Sequence, residues 1–158
     1  MSIVYIGIGS NLGDRQKSCL RAIELLQERG IVVTKKSSLY ETEPWGYKDQ
    51  PQFINMAIEG ETEFNPKELL MVLKNIEREI GREESLRWGP RKVDLDILLF
   101  DTIILTEDSL EIPHPLLHKR DFVLKPLCEI ASDIHHPLLK MSISDLLQQL
   151  YKKSHHTT

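Results

Sequence analysis

Asp94 and Asp96 stand two residues apart in the stretch from Arg87 to Phe100, RWGPRKVDLDILLF. In a strand that spacing puts both carboxylates on one face. At a separation of about 6 to 7 Å they repel by about 0.6 kcal/mol in water and about 2.5 kcal/mol at an effective dielectric of 20. A divalent cation reverses that cost. Oxygen-only ligands suit Mg²⁺, which takes one or two carboxylates and completes its shell with water and substrate phosphates. Arg87, Arg91 and Lys92 bring positive charge just upstream, and Gly89 and Pro90 shape a turn. The stretch therefore reads as a place where metal meets phosphate. The competing explanation is an edge strand with charges on its open face, which guards against aggregation.

Other residues have types suited to a flat, polar ligand. Phe53 precedes Asn55 by two, so an aromatic ring and an amide share one face of their strand, a pairing that suits a hydrogen-bonding heterocycle. Trp45 lies in a Pro/Gly loop where a core residue is not required. His114, within IPHPLLH, is either a packed histidine between prolines or a donor to phosphate. The glycines at 7, 9 and 13 are spaced GxGxxxG rather than in the dinucleotide fingerprint GxGxxG, and a turn needing positive φ explains them at least as well.

These residues need elements to hold them. Ser2 to Ile8 reads as a strand, followed by the glycine turn and a helix with Cys19, Ala22, Ile23 and Leu26 at helical spacing up to Gly30. Ile31 to Tyr40 reads as a second strand, Thr42 to Pro51 as a loop and Gln52 to Glu61 as a third strand. Asn65, Pro66 and Glu68 form a helix start, and Leu69, Leu73, Ile76 and Ile80 form its buried stripe, with Gly81 as its stop. Arg82 to Lys92 then reads as a charged loop and Val93 to Phe100 as the fourth core strand. Ile103 to Leu105 and Leu110 to Ile112 suggest a small hairpin. The remainder is expected to be helical pieces broken by Pro113, Pro115, Pro126 and Pro137, with a last amphipathic helix through Ile143, Leu146, Leu147 and Leu150 and a frayed tail from Lys152.

The order β, α, β, β, α, β is that of a ferredoxin-like α+β fold, a four-stranded antiparallel sheet with two helices on one face. With 158 residues there is room for one domain. A net charge of −4 argues against a general nucleic-acid binder, so any phosphate recognition is local. No apolar run is long enough to span a bilayer and the first residues do not read as a secretory signal, so a cytoplasmic protein is expected. Cys19 and Cys128 read as reduced, buried small hydrophobes rather than as a zinc site.

Five blocks in order, GSNLGD, YETEPWG, DQPQFIN, RWGPRKVDLDILLF and IPHPLLHKRDFVLKPL, closely resemble the 6-hydroxymethyl-7,8-dihydropterin pyrophosphokinase family over about residues 3–131. The resemblance implies transfer of the terminal diphosphate of ATP to the pterin's hydroxymethyl oxygen, with AMP released. It implies that Asp94 and Asp96 hold two Mg²⁺ ions and that Arg82 and Arg91 grip the phosphates during transfer. Glu77, Trp88, Ile97, His114 and Arg120 would lie on the nucleotide side. Phe53 and Phe122 would sandwich the pterin ring, Thr42 and Asn55 would bond its edge, and backbone groups near Pro44 and Trp45 would complete the pocket. The segments around Ser10 to Asp14, Thr42 to Pro51 and Arg82 to Lys92 would order on closure. ATP and the pterin are the partners implied, without protein, nucleic acid or membrane.

Glu84 stands where some members of the family carry a second arginine, and Arg87 is placed to compensate. No general base is evident. A metal-dependent nucleotidyltransferase or cyclase of the polymerase-palm type would release pyrophosphate instead, and a small-ligand regulatory domain of the same fold would bind without regard to Mg²⁺.

Overall fold

The computed structural model describes residues 1–10, 15–42, 53–88 and 93–156, the side chains at 15, 42, 83–88 and 154–156 apart. Strand β1 (Ser2–Ser10) leads to helix α1 (Arg15–Glu28), then β2 (Ile31–Lys36), β3 (Tyr40–Thr42) and β4 (Phe53–Thr62). Helix α2 (Pro66–Trp88), strand β5 (Val93–Phe100) and the hairpin β6 (Leu105–Glu107) with β7 (Leu110–Ile112) follow. A 3₁₀ turn at Leu117–Lys119 precedes α3 (Asp121–Ala131) and α4 (Ile143–His156).

The antiparallel sheet has the order β2-β4-β1-β5, with β3 also paired to β4. β1 is central, so whatever it carries lies between the two strands with the candidate residues. The expected four strands become five because the edge strand breaks. β2 pairs with the far half of β4 and β3 with the near half, Tyr40 opposite Asn55 and Thr42 opposite Phe53. Ser37 bridges the break: its N–H donates to the Ala57 carbonyl and its hydroxyl accepts the Ala57 N–H, both at 2.9 Å. A side-chain oxygen thus takes the place of a ladder carbonyl, and a continuous run to Tyr40 is interrupted.

One face of the sheet carries Val4, Ile6, Ile8, Ile54, Met56, Ile58, Val93, Leu95 and Ile97 into a core shared with α1 and α2. Leu69, Leu73, Ile76 and Ile80 form the α2 stripe, each at most 1% exposed, and each such side chain contributes about 1.5–3 kcal/mol of burial. The helix begins on a reciprocal cap: Glu68 N–H donates to Asn65 Oδ1 at 2.8 Å and Asn65 N–H to Glu68 Oε1 at 2.9 Å. α1 stops at Gly30, whose φ of +94° favours a residue without Cβ.

The opposite face is half covered. Tyr5, Ala57, Leu98 and Leu99 meet Leu117, Leu124, Leu127, Ala131, Ile143 and Leu146 in a second core beneath α3 and α4. Sheet burial on both faces departs from the two-helix layer expected. A bulge makes it possible at β5: Tyr5 pairs with Leu99 but Ile6 with Ile97, so Leu98 is the extra residue and points with Leu99 toward α3.

Several boundaries differ from expectation. α2 runs past Gly81 to Trp88, because a glycine in αR conformation costs only about 1 kcal/mol and does not itself end a helix. Arg82 therefore stands on a helix. Pro126 lies inside α3, where it withholds an N–H from the Phe122 carbonyl while its ring is buried. α4 continues to His156, so the tail is helical beyond Lys152. The hairpin begins at Leu105 rather than Ile103. Cys19 is buried and Cys128 half-buried, both as free thiols. Among the described residues, no helix is long and apolar enough to cross a membrane.

Candidate active site

β5 alternates as its sequence demands. Val93, Leu95 and Ile97 are 2–5% exposed on the α1/α2 side, whereas Asp94 is half-buried and Asp96 exposed on the other. Register places their neighbours. Tyr40, Asn55, Gly9 and Asp94 form one row across β3, β4, β1 and β5, and Ala57, Gly7 and Asp96 form the row beside it. Phe53, opposite Thr42, and Asn55 are both half-buried, on the same face as the carboxylates. With strands about 4.8 Å apart, the Cα atoms of Asn55 and Asp94 are about 10 Å apart. Gly7 and Gly9 form the floor between them, inside a strand and not in a turn; the positive φ expected there is found, among the described glycines, at Gly30 alone. Gly13 lies outside the described residues.

Glu77 is tied to the outer edge of β5. Its Oε2 accepts the Leu95 N–H at 2.8 Å, between the two aspartates in sequence, and Lys74 Nζ lies 3.5 Å from its Oε1. Burial pushes the Glu77 carboxyl above its ordinary range, with Asp94 adding to the rise and the Leu95 N–H and Lys74 opposing it. Its first task is to satisfy an edge N–H, which no sequence signal announced. Lys74 and Glu77 also line, with Leu70, Met71 and Arg78, an open recess of about 290 Å³.

On the far side of β5 lies His114. Its N–H donates to the Leu98 carbonyl at 3.1 Å, so the bulge also anchors the segment after β7. The His114 Nδ1 accepts the Leu116 N–H at 3.2 Å, which leaves the proton of the neutral ring on Nε2. Burial makes the ring less basic; Asp96 opposes that and Arg120 reinforces it. His114 therefore feels the charges of both Asp96 and Arg120. The Arg120 guanidinium lies 5.5 Å from the centroid of the Phe122 ring, a cation–π contact.

Not every candidate comes together. Arg82 is exposed and lines a recess of about 310 Å³ with Arg29, Val72, Asn75, Arg78 and Glu79. The Ile97 side chain lies in the first core, 5% exposed, on the opposite face from Asp94 and Asp96. Alternation requires this, and only its backbone on the outer edge of β5 is left for a nucleotide. Pro44, Trp45 and Arg91 lie outside the described residues, as do the side chains of Thr42, Glu84, Arg87 and Trp88. The closing segments Ser10–Asp14, Thr42–Pro51 and Arg82–Lys92 fall largely there too, except that Ser10 is a buried strand residue and residues 82–88 are helical.

One set of contacts went unforeseen. Glu129 of α3 accepts the Tyr40 hydroxyl at 2.6 Å and the Ser38 N–H at 3.0 and 3.1 Å. The Tyr40 hydroxyl is pushed up to about 12, first by this hydrogen bond and then by burial. A helix thus pins the short strand that carries Thr42.

The donor set suits Mg²⁺. Among the described residues no group of three or more His, Cys, Asp and Glu side chains is placed to hold a metal ion. Two carboxylates on one face fit an ion that draws its other ligands from water and phosphate.

Comparison with known proteins bears on the chain as a whole. The family model described as 7,8-dihydro-6-hydroxymethylpterin-pyrophosphokinase matches residues 5–132. A 2-amino-4-hydroxy-6-hydroxymethyldihydropteridine pyrophosphokinase of Aquifex aeolicus is 41% identical over 145 residues, covering 92% of this chain and 90% of that protein. The Bacillus subtilis protein of the same name is 50% identical over 134 residues, 84% of this chain and 80% of its own length. In structure, the chain is similar to a wild-type Plasmodium falciparum HPPK-DHPS solved with SDX-DHP, with a TM-score of 0.75 and 18% identity over 99% of this chain. It spans 45% of that longer protein, and the likeness is one of fold.

Proposed function

This chain belongs to the 7,8-dihydro-6-hydroxymethylpterin-pyrophosphokinase family, and on that premise we propose how its site divides the work. The enzyme transfers diphosphate from ATP to the hydroxymethyl group of 6-hydroxymethyl-7,8-dihydropterin in folate biosynthesis and releases AMP. Membership sets aside both the nucleotidyltransferase and the regulatory domain.

In our reading, Asp94 and Asp96 hold two Mg²⁺ ions together with the ATP phosphates, and the observation that carries this is the shared face of the two carboxylates beside Gly7 and Gly9. Bound there, the ions neutralise phosphate charge and orient the transferred group. The chain does the rest by position. Phe53 and Phe122 offer ring faces to the pterin, and Asn55 offers a donor and an acceptor to its edge. Thr42 and the backbone near Pro44 and Trp45 are assigned to the same edge. His114 carries its proton on Nε2 and feels the charge of Asp96, Arg120 adds charge, and Glu77 holds the Leu95 N–H between the aspartates. Arg82 and Arg91 supply the positive charge that meets the phosphates as it redistributes. Trp88 and the Ile97 backbone belong to the nucleotide side. We place the reaction in the cytoplasm, where ATP is supplied.

The test is product analysis with both substrates. One AMP per diphosphorylated pterin, stopped by chelation and restored by Mg²⁺, is expected; AMP formation indifferent to chelation would overturn the metal assignment.

A further inference from the structure

Gly9 is paired on one side with Asn55 and on the other with Asp94. Its strand conformation does not demand glycine, and a glycine inside a strand weakens it. Space is what it provides. A Cβ at this position would stand 3.0 Å from Asn55 Oδ1 and 3.9 Å from the Ile54 carbonyl, whereas at Gly7 it would meet the Leu98 side chain at 3.4 Å, an ordinary contact. The two glycines are therefore not equivalent: only at Gly9 would a methyl press on a polar group of the site.

We propose that Gly9 is a positioning residue for the transfer: lacking a side chain, it lets the Asn55 amide lie against β1, in the place from which a bound pterin points its hydroxymethyl group toward Asp94. The inference rests on the assignment of Asn55 to the pterin. A ring held at Asn55 must extend its hydroxymethyl oxygen toward phosphates gathered at Asp94, about two strand spacings away. The midpoint of that path lies over Gly9. A methyl there shifts Asn55 Oδ1 by about a few tenths of an ångström, enough to spoil a hydrogen bond.

Calorimetric titration of 6-hydroxymethyl-7,8-dihydropterin into enzyme carrying α,β-methylene-ATP and Mg²⁺ tests this. Gly9→Ala should weaken pterin binding about tenfold, the loss of one well-made hydrogen bond, while affinity for the ATP analogue changes less than about twofold. Asn55→Ser should weaken the pterin as well. Adding Gly9→Ala to Asn55→Ser should then change pterin affinity less than about twofold, because the shorter side chain withdraws from the methyl. That pair also serves if Gly9→Ala does not fold alone. A full tenfold penalty in the Asn55→Ser background, or none in the native one, overturns the role of Gly9. Native pterin affinity in Asn55→Ser would instead overturn the assignment of Asn55.

Discussion

Asn55 and Asp94 pair with the same residue, Gly9, from opposite sides. The amide assigned to the pterin and the carboxylate assigned to the metal are thus held a fixed distance apart by the hydrogen-bond ladder of three strands. Such a ladder deforms little, so on these assignments the sheet sets the spacing between the two substrates. Residues that stiffen this sheet should then matter to the reaction even where they touch neither substrate.

Glu77 is the first of these. Glu77→Ala leaves the Leu95 N–H without its acceptor and should lower stability to urea by about 1 kcal/mol. Metal affinity in the presence of ATP should fall with it, because β5 loosens between its two aspartates. Glu77→Gln keeps an acceptor oxygen and should recover most of the stability. Equal urea midpoints for the native protein and Glu77→Ala would contradict the structural role.

Glu129 is the second. The Tyr40 hydroxyl and the Ser38 donors hold its carboxyl below the ordinary 4.5 against the opposing effect of burial. A depressed carboxylate contributes stability that is present above 4.5 and is lost as pH falls through the folded value. Glu129→Gln should therefore flatten the acid limb of the stability profile. The effect should be less than about 1 kcal/mol, since the pair is open to solvent. The Michaelis constant for the pterin should rise, because β3 positions Thr42; an unchanged acid limb would count against the anchoring.

Asn65 gives a contrasting case, far from the site. Asn65→Ala removes half of the reciprocal cap at the start of α2 and should cost about 1 kcal/mol of stability. Turnover at saturating substrate should stay native. A loss of turnover in protein shown to be folded would mean that α2 is coupled to the site more tightly than the Glu77 contact alone provides.

Where each residue meets only its neighbours in the chain, the sequence was a good guide. β5 spans Val93–Phe100 as its alternation implied, and the Asn65–Glu68 cap is closed as its spacing implied. Tertiary partners were not legible. The edge strand breaks because Ser37 finds Ala57, the bulge at Leu98 forms because a second core lies beneath α3, and Glu77 is spent on Leu95. Gly81 carried no steric reason to stop α2, so a loop expected from composition is helix as far as Trp88. Ile97 shows two lines of reasoning that apply to different atoms: alternation puts its side chain in the core, so the nucleotide side that the resemblance implies falls to its backbone. Gly9 was visible from the start as a glycine, but only register shows what it separates.

The central claim is that Asp94 and Asp96 hold the metal together with ATP. The most direct measurement is Mn²⁺ binding followed by electron paramagnetic resonance, with α,β-methylene-ATP and the pterin present. The native enzyme should take up two ions per chain. Asp94→Asn and Asp96→Asn should each weaken uptake at least about tenfold and reduce turnover at least about a hundredfold, with the fold retained because a like-charge repulsion has been relieved. Native stoichiometry and affinity in both variants would contradict the account.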